Sequence, residues 1–391
     1  MIEPSNKNVK VYLIIALCEF MEKLLIYWPF SPFSEIHLVK EAGGLANAFT
    51  KMGKSVDLLV GEMQCSPPNG VSVYETGNKS WLNWRGYFKE FLTALSILIK
   101  NQYSIIIAFN SGPLNWAIFL LYRLICLFRV GKLRTSRAKL ILKLDSDGTF
   151  RGFSTLNLIV YKILFFFNSF LFDDLMVESP QAVSNIKNMM MVNKSKVKYL
   201  PNGYSSIDYP KANYNDYNRK DVILSVSRVS REKGIEVLVK AFADASEEFY
   251  SWKLIIAGSF DDDTYLQEIN KLIADLNLSE RVIMLGELDK NKLREFYLSS
   301  AIFALVSIRE SFGIARLEAM ASGLPVLTSE SGIGNELRGF GSIVVKCGDV
   351  KSTANQLKRL ISNESLRIQI ANEQCKHLIS WEDVAFKIIN I

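Results

Sequence analysis

Two carboxylates flank a glycine in the stretch ESFGIARLEAMASG, residues 310 to 323. The apolar run AIFALVS ends just before it, and the apolar residues that follow recur at helical spacing, which predicts a strand, a loop and a helix. In such a loop Gly313 lets a ligand approach the backbone, and the free N–H groups of the first helical turn attract anions. Glu310 and Glu318 would repel phosphate, so they are better suited to accept hydrogen bonds from hydroxyls. The stretch therefore predicts a ligand that carries both phosphate and diol groups. The alternative is that Glu310 is an ordinary surface residue and that Glu318 only favours the N-terminal half of the helix.

Other polar residues follow apolar runs in the second half of the chain. The runs are DVILSVS, KLIIAGS, RVIMLGE, IFALVS, PVLTS and SIVVKCG. In open parallel sheets, ligands bind beyond the carboxyl ends of the strands. The residues at those ends are Arg228, Gly258, Gly286 with Glu287, Ser307 to Glu310, and Glu330 to Gly334. We expect them to share one edge of a sheet, which favours a binding role for the two glutamates.

The first half of the chain has the same architecture. Its apolar runs are KVYLIIAL, SVDLLVG, VSVYETG, SIIIAFN, KLILKLD and LMVES, with helical patterns between most of them. Continuous Ile, Val and Leu runs alternating with helices are typical of a parallel sheet covered on both faces. With 391 residues the chain has room for roughly two domains. Residues 199 to 221, rich in Pro, Asn, Asp and Tyr, predict the linker between them.

Composition narrows the class of protein. The chain is 49% hydrophobic and 22% charged, as in a folded protein with an excess of apolar surface. Its five cysteines are scattered without metal or redox spacing, so a reducing cytoplasm is the expected compartment. No nucleic-acid-binding motif accompanies the net charge of +6, and we expect no nucleic-acid partner.

Basic charge is concentrated between Arg85 and Lys143, a segment with ten basic residues and one acidic residue, Glu90. The segment contains GPLNWAIFLLYRLICLFRVGKLRTSRAK, and LIVYKILFFFNSFLF follows at 158 to 172. The apolar run in each stretch is interrupted by a basic residue and is shorter than the roughly 20 residues that span a bilayer. Apolar helical faces edged with Lys and Arg suit helices lying on an anionic membrane surface. Helices packed on a sheet, with basic ends in solvent, remain the alternative.

Two stretches carry a resemblance to a known family. SVSRVSREKGIEVLVKAF and ESFGIARLEAMASGLPVLTSESGIGNEL resemble the nucleotide-sugar half of the family-4 retaining glycosyltransferases, the glycosyl transferases group 1. The resemblance implies the GT-B fold: two Rossmann-like, doubly wound parallel-sheet α/β domains facing a central cleft. LPNG at 200 to 203 resembles the interdomain turn, and SWEDVAFKI at 380 to 388 resembles the C-terminal helix that crosses back. The implied domains are 1–203 for the acceptor and 204–377 for the donor, with a helix at about 378–391 packed on the first.

The resemblance also implies roles for individual residues. Arg228 and Lys233 would grip the donor's diphosphate, Glu318 would hold ribose hydroxyls, and Glu310 would contact the transferred sugar. The backbones of Phe312, Gly313 and Ile314 would bind sugar and phosphate, and the loops at Gly258 and Glu287 would contact the base. Transfer would retain the anomeric configuration by front-face attack, with the leaving diphosphate assisting deprotonation of the acceptor.

The first half departs from the family pattern at two places. Gly43-Gly44 falls in or just before a helix rather than in the loop YWPFSPFSEIH, so the pair either approaches phosphate or only packs. Where many members carry a histidine near the reacting carbon, this chain reads KLDSDGTF, and Asp145 or Asp147 would take that place; we include Asp147 in the predicted catalytic set. A strand ending in D-x-D also matches the metal site of the GT-A fold. Because Arg228 and Lys233 can neutralise a diphosphate, we expect neither a metal nor another cofactor.

The sequence thus predicts a glycosyltransferase that moves a hexose-type sugar from a nucleoside-diphosphate sugar to an acceptor. The apolar and basic first half favours a lipid-linked glycan or glycolipid as acceptor, reached from the cytoplasmic face of the membrane with peripheral attachment there. A non-catalytic subunit that binds a nucleotide sugar and recruits a partner to membrane, and a nucleotide-sugar epimerase, are the alternatives.

Overall fold

The computed structural model describes residues 22–29, 32–78, 84–109, 112–129, 138–145, 155–189 and 192–391. The predicted strand KVYLIIAL and the predicted catalytic residue Asp147 lie outside these ranges, as do residues 130–137 of the basic segment. The remaining predicted apolar runs fall within them, apart from Asn110 at the end of SIIIAFN.

The first half of the chain forms a seven-stranded parallel sheet. Its strands are β1 (Lys23–Trp28), β2 (Ser55–Val60), β3 (Val71–Glu75), β4 (Ile105–Phe109), β5 (Lys139–Leu144), β6 (Asp174–Val177) and β7 (Val197–Tyr199). They are ordered β3-β2-β1-β4-β5-β6-β7, and every neighbouring pair is parallel. The order reverses direction between β1 and β4, which is where ligands bind in doubly wound sheets.

Six helices of the described residues cover this sheet. They are α1 (Glu35–Val39), α2 (Glu41–Lys51), α3 (Trp84–Lys100), α4 (Pro113–Arg129), α5 (Thr155–Leu171) and α6 (Pro180–Lys187). Neighbouring residues of β4 enter different cores, since Ile106 packs with Phe119 of α4 and Ile107 packs with Phe49 of α2. Both faces of the sheet are therefore buried, which explains the continuous apolar runs of the sequence.

The second half forms a six-stranded parallel sheet. Its strands are β8 (Lys220–Val226), β9 (Lys253–Ala257), β10 (Val282–Gly286), β11 (Ser300–Leu305), β12 (Val326–Ser329) and β13 (Ile343–Val345), in the order β10-β9-β8-β11-β12-β13. The helices are α7 (Ile235–Ala245), α8 (Asp263–Asp275), α9 (Lys290–Ser299), α10 (Ile314–Ala321), α11 (Gly334–Gly339), α12 (Val350–Ser362), α13 (Glu364–Gln374) and α14 (Trp381–Ile389). The predicted linker, 199 to 221, joins the two sheets.

Side chains at the helix starts fix where several of these helices begin. The carboxylates of Asp262, Asp289 and Asp349 accept the backbone N–H groups of the third residue beyond each of them. These bonds satisfy donors that a helix leaves unpaired at its N-terminus. Each aspartate follows a strand closely, so the chain turns from strand to helix within a few residues.

The last helix returns to the first half of the molecule. Trp381 at the start of α14 is buried and packs in the core that contains Phe49 of α2. Before it, the backbone of Tyr204 accepts a hydrogen bond from Trp381 N–H at 3.2 Å and donates one to Ile379 at 3.0 Å. This is the predicted crossing of the C-terminal helix. The predicted boundary at 203 and 204 remains a prediction.

The glycine pair of α2 serves packing. A Cβ atom on Gly44 would lie 2.4 Å from Trp381 Nε1, and one on Gly43 would lie 2.4 Å from the Cα atom of Leu38 in α1. No side-chain carbon fits at such distances, so the pair allows α1 and α14 to approach α2. These contacts give Gly43-Gly44 a packing role, and its approach to phosphate stays a prediction.

Candidate active site

The stretch from residue 310 to 321 is a loop followed by α10, as the sequence predicts. Gly313 precedes the helix in the left-handed conformation with φ 82°. A Cβ atom there would lie 2.7 Å from Arg316 Nε and 3.1 Å from its Cζ. The turn therefore requires glycine both for its backbone angle and for its contact with the arginine. Because residue 313 has no side chain, none stands at this position between the first turn of α10 and a ligand.

Lys233 and Glu310 form the centre of the site. The Lys233 ammonium lies 2.9 and 2.8 Å from the two Glu310 oxygens, and Ser307 Oγ lies 3.2 Å from one of them. Lys233 belongs to a 3₁₀ turn, residues 231–233, that ends at Gly234 with φ 66°. A Cβ atom on Gly234 would lie 2.3 Å from the carbonyl oxygen of Val306, so glycine lets this turn approach the end of β11. Two predicted residues that are 77 positions apart are thus in direct contact.

Arg228 follows β8 at the same edge of the sheet. Its side chain is exposed, and Nη1 lies 2.8 Å from Oδ2 of Asp261. Gly258, at the end of the neighbouring strand β9, would place a Cβ atom 1.9 Å from the carbonyl oxygen of Ser227. Its observed role is therefore to allow close approach of the two strand ends. Whether Gly258 also contacts a base remains a prediction.

Glu318 lies in the second turn of α10. Tyr297 donates a hydrogen bond to its Oε2 atom at 2.9 Å. Burial raises the pKa of Glu318, while the Tyr297 bond and the charge of Lys40 lower it. Lys40 stands immediately before α2, in the first half of the chain. The carboxylate therefore lies where the two halves of the molecule come close together.

The other predicted donor-binding residues differ in exposure. Phe312 is buried in the core beside Leu305, and Ile314 packs against the cores of both halves. Their side chains are structural, so only their backbone groups remain for the predicted ligand contacts. Glu287 is exposed on the loop after β10, and its predicted role is neither supported nor excluded by its surroundings.

Asp145 follows β5 directly and belongs to a cluster of three carboxylates. Oxygens of Asp145, Glu41 and Glu178 lie within 4.8 Å of one another, which would suit a metal ion. The cluster already contains a cation, however, because the Lys143 ammonium lies 2.8 Å from Glu178 and 2.6 Å from the amide oxygen of Asn202. Burial raises the pKa of Glu41 and of Glu178, which reduces the negative charge available to a metal. The Lys143 ammonium therefore offsets part of the negative charge of this cluster, and the expected absence of a metal ion stays a prediction.

One charged residue of the site was not predicted from the sequence. Arg316, in the first turn of α10, is completely buried. Its Nη1 atom donates to the carbonyl oxygen of Ser331 at 3.0 Å, while Nε and Nη2 have no hydrogen-bond partner. One feature of the sequence could have indicated that Arg316 is buried. In GIARLEAM the arginine lies between residues that face the core.

Comparison with known proteins finds similarity in the second half of the chain. Residues 209–377 match the family model described as Glycosyl transferases group 1. An uncharacterized glycosyltransferase, MJ1607, of Methanocaldococcus jannaschii is 34% identical over 178 residues, 44% of each chain. The capsular polysaccharide biosynthesis glycosyltransferase CapM of Staphylococcus aureus is 28% identical over 176 residues, 43% of this chain and 45% of CapM. The chain spans less than half the length of these curated relatives.

Solved structures resemble the whole chain. Anabaena Alr3699/HepE in complex with UDP and glucose has a TM-score of 0.69 and 19% identity, covering 94% of this chain and 98% of that one. WaaG, a glycosyltransferase involved in lipopolysaccharide biosynthesis, has a TM-score of 0.67 and 14% identity over 94% and 98%. At these identities the likeness shows the fold alone. The fold is GT-B, with two Rossmann-like parallel-sheet domains, as predicted.

Proposed function

We propose that this chain is a glycosyltransferase that uses a nucleoside-diphosphate sugar as its donor, because residues 209–377 match the family model described as Glycosyl transferases group 1. The sugar is of the hexose type, its anomeric configuration is retained, and no metal is required. The Lys233–Glu310 pair carries the proposal, because it stands beside the glycine turn that opens α10. A cation, a carboxylate and a helix N-terminus together match a ligand with phosphate and hydroxyl groups.

The donor's diphosphate lies, in this proposal, between Arg228 and Lys233 and against the backbone of residues 312 to 314. Glu310 contacts the transferred sugar and Glu318 the ribose hydroxyls. The similar Alr3699/HepE chains bind UDP, and UDP with glucose, which supports a donor of this class. Glu318 also faces the charge of Lys40, so a bound ribose would lie beside the first domain and its acceptor.

The reaction breaks the bond between the anomeric carbon and the diphosphate oxygen and forms a bond to the acceptor hydroxyl oxygen. The proton of that hydroxyl passes to the leaving diphosphate on the same face of the sugar. Arg228 and Lys233 stabilise the negative charge that builds up on the diphosphate, and charge-assisted hydrogen bonds contribute about 1.5–3 kcal/mol each. Asp147 stays a proposed member of the catalytic set.

We propose a lipid-linked glycan or a glycolipid as the acceptor, at the cytoplasmic face of a membrane. Among the helices of the described residues, none has both the length and the apolar character needed to cross a bilayer. The outer surfaces of α4 and α5 nevertheless expose large apolar side chains, including Phe128 at 88% and Phe170 at 67%. Neither helix contains Asp or Glu. Exposed aromatics on acid-free helices suit attachment to an anionic bilayer.

One relative supports this choice of acceptor. The alpha-monoglucosyldiacylglycerol synthase of Streptococcus pneumoniae is 34% identical over 105 residues, 27% of this chain and 23% of that protein. Its name describes a glycolipid product. The matched part is small, so the acceptor proposed here depends on the surface of α4 and α5 as well.

A thermal-shift panel tests the donor proposal. UDP, GDP, ADP and dTDP and their sugars are added singly, each with and without EDTA. We expect one nucleotide to raise the melting temperature whether or not EDTA is present. Stabilisation that requires a divalent ion would return Asp145 and Asp147 to the role of metal ligands. No shift with any nucleotide would contradict the proposal.

Product analysis separates transfer from the two alternatives. With the stabilising sugar nucleotide and a membrane extract as acceptor, the enzyme proposed here releases free nucleoside diphosphate. An epimerase would convert the sugar nucleotide without acceptor, and a non-catalytic subunit would bind it unchanged.

A further inference from the structure

Arg316 is a buried cation that the proposed reaction has not yet used. Its guanidinium packs against Gly313, on the side where any other residue would carry Cβ, with Nε, Cζ and Nη2 all 2.7 to 3.1 Å from that position. Its one hydrogen bond, from Nη1 to Ser331, ties α10 to the loop after β12. The charge therefore lies directly behind the glycine turn at the N-terminus of α10.

This position is unfavourable for an arginine in three ways. The side chain is 0% exposed, so its charge has lost its hydration. Two of its nitrogens, Nε and Nη2, are buried without a partner. It also stands in the first turn of an α-helix, where the helix dipole is already positive. A structural arginine would be expected to find partners, and this one has a single carbonyl.

The nearby carboxylates do not neutralise Arg316. Glu310, the largest opposing charge, directs both of its oxygens to Lys233. Glu336 contributes a smaller attraction, and its own Oε2 atom is buried without a partner. Arg316 forms no ion pair with these or other acids of the described residues. Its Nε and Nη2 atoms therefore lie beside the turn without a bonded acid.

We propose that Arg316 is a positioning residue that supplies a fixed positive charge, from behind Gly313, to the diphosphate bound at the N-terminus of α10. The inference rests on the proposed function, because it needs a nucleoside diphosphate at this turn. Arg316 holds Gly313 and the Ser331 loop in place and attracts the anion through the turn without being exposed to it. Unmet donors at a helix N-terminus raise the local positive potential where the anion binds.

Such a role predicts opposite effects on stability and on binding. Replacing Arg316 by Met keeps the volume of the side chain and removes a poorly paired buried charge, so we expect an unchanged or higher melting temperature. The same change should weaken binding of the diphosphate at least about tenfold, because it removes a fixed positive charge close to the bound anion. If Arg316 had only a structural role, the change to Met would lower both the melting temperature and the affinity for the diphosphate, or neither.

The experiment compares the affinity for UDP with the affinity for uridine, or for the corresponding pair if the panel selects another base. R316M, R316K and the wild-type chain are measured by calorimetry, with melting temperatures recorded in parallel. The matched control is R367M, because Arg367 is also buried but donates hydrogen bonds from Nε to Tyr214 at 2.8 Å and from Nη1 to Leu360 at 2.7 Å. R367M should lower the melting temperature and leave the ratio of the two affinities unchanged.

The expected result is that R316M loses affinity for UDP but keeps its affinity for uridine, with R316K in between. An unchanged ratio in R316M would overturn the inference and leave the proposed function intact. A lower melting temperature together with an equal loss of affinity for UDP and for uridine would also overturn the inference, in favour of a structural role. If the wild-type chain binds no nucleoside diphosphate, the proposed function fails and the inference fails with it.

Discussion

The contact between Lys233 and Glu310 determines what each side chain can do. A carboxylate with both oxygens on an ammonium is held in place, and its orientation is fixed by Ser307 as well. Removing the carboxylate frees Lys233 to bind phosphate but leaves the transferred sugar without its partner. The pair therefore links the diphosphate to the sugar in one local network.

We predict that E310A abolishes transfer and keeps nucleotide binding. The proposed sugar contact is lost, so turnover should fall by at least about a hundredfold. The nucleoside diphosphate should bind as well as before or better, because Lys233 no longer has an internal partner. Transfer at the wild-type rate, measured by release of nucleoside diphosphate, would show that Glu310 has no part in the reaction.

Gly313 gives a second prediction at the level of a single residue. Alanine at this position would adopt a left-handed angle and meet Arg316 at 2.7 Å, so G313A should destabilise the fold by about 1–3 kcal/mol and weaken nucleotide binding. Gly339, at the end of α11, has open space around its Cβ position and is the control. Urea denaturation should show G339A within about 0.5 kcal/mol of wild type. Equal stability of the two variants would contradict this account of the turn.

At the scale of elements, α14 connects the two halves of the molecule. Its first residue, Trp381, fills the space that Gly44 leaves in α2, and its Glu382 carboxylate pairs with Lys51 of that helix. Ser380 caps the helix by accepting the N–H of Asp383. The relative placement of the two sheets depends on this helix, because it begins beside Tyr204 of the second half and packs on the first.

We predict that W381A destabilises the protein by about 3–5 kcal/mol, the usual cost of removing a large buried aromatic side chain. Phe386 in the same helix is 61% exposed, so F386A should change stability by less than about 0.5 kcal/mol. Chemical denaturation of the two variants provides the comparison. A small effect of W381A would mean that α14 is not held against α2 in solution.

At the scale of the whole molecule, the orientation of α4 and α5 relates the membrane to the site. Each helix follows a strand of a parallel sheet, so it begins at the carboxyl edge, where Asp145 lies, and runs back along the sheet. Exposed apolar side chains run along α5 from Ile159, near that edge, to Phe170 at the opposite end, so a bilayer resting on this face would reach the edge that holds Asp145. A lipid-linked acceptor could then reach the site without leaving the membrane.

We predict that the double change of Phe128 and Phe170 to Ser reduces binding to vesicles that contain anionic lipid. Flotation at low and high salt separates the two contributions, because ionic attraction is screened by salt and apolar insertion is not. Tyr250→Ser, at a residue 79% exposed on the second domain, is the control. Failure of the wild-type chain to float at either salt concentration would remove the membrane proposal. Loss of binding by the control would show that exposed aromatics in general are responsible.

The sequence alone was sufficient for the pattern of the fold and for most of the candidate site. Continuous apolar runs indicated two parallel sheets because strands buried on both faces need apolar residues at every position. The exceptions were β1 and β7. The first begins with Lys23 and follows a more apolar stretch, and the second is a three-residue edge strand, too short to produce a pattern. Arg228, Glu310 and Glu318 could be proposed from the ends of apolar runs and from the stretch 310 to 323, and Lys233 from the family resemblance; their roles stay predictions.

Only the tertiary structure decided how these residues meet. It placed Lys233 on Glu310, brought Lys40 into the surroundings of Glu318, and showed Gly43-Gly44 to be a packing device for α1 and α14. It also revealed Arg316 as a buried, poorly paired cation. The physical reason is the same in each case: contact, burial and hydrogen-bond satisfaction depend on residues far apart in the chain, whereas periodicity and turn chemistry depend on near neighbours.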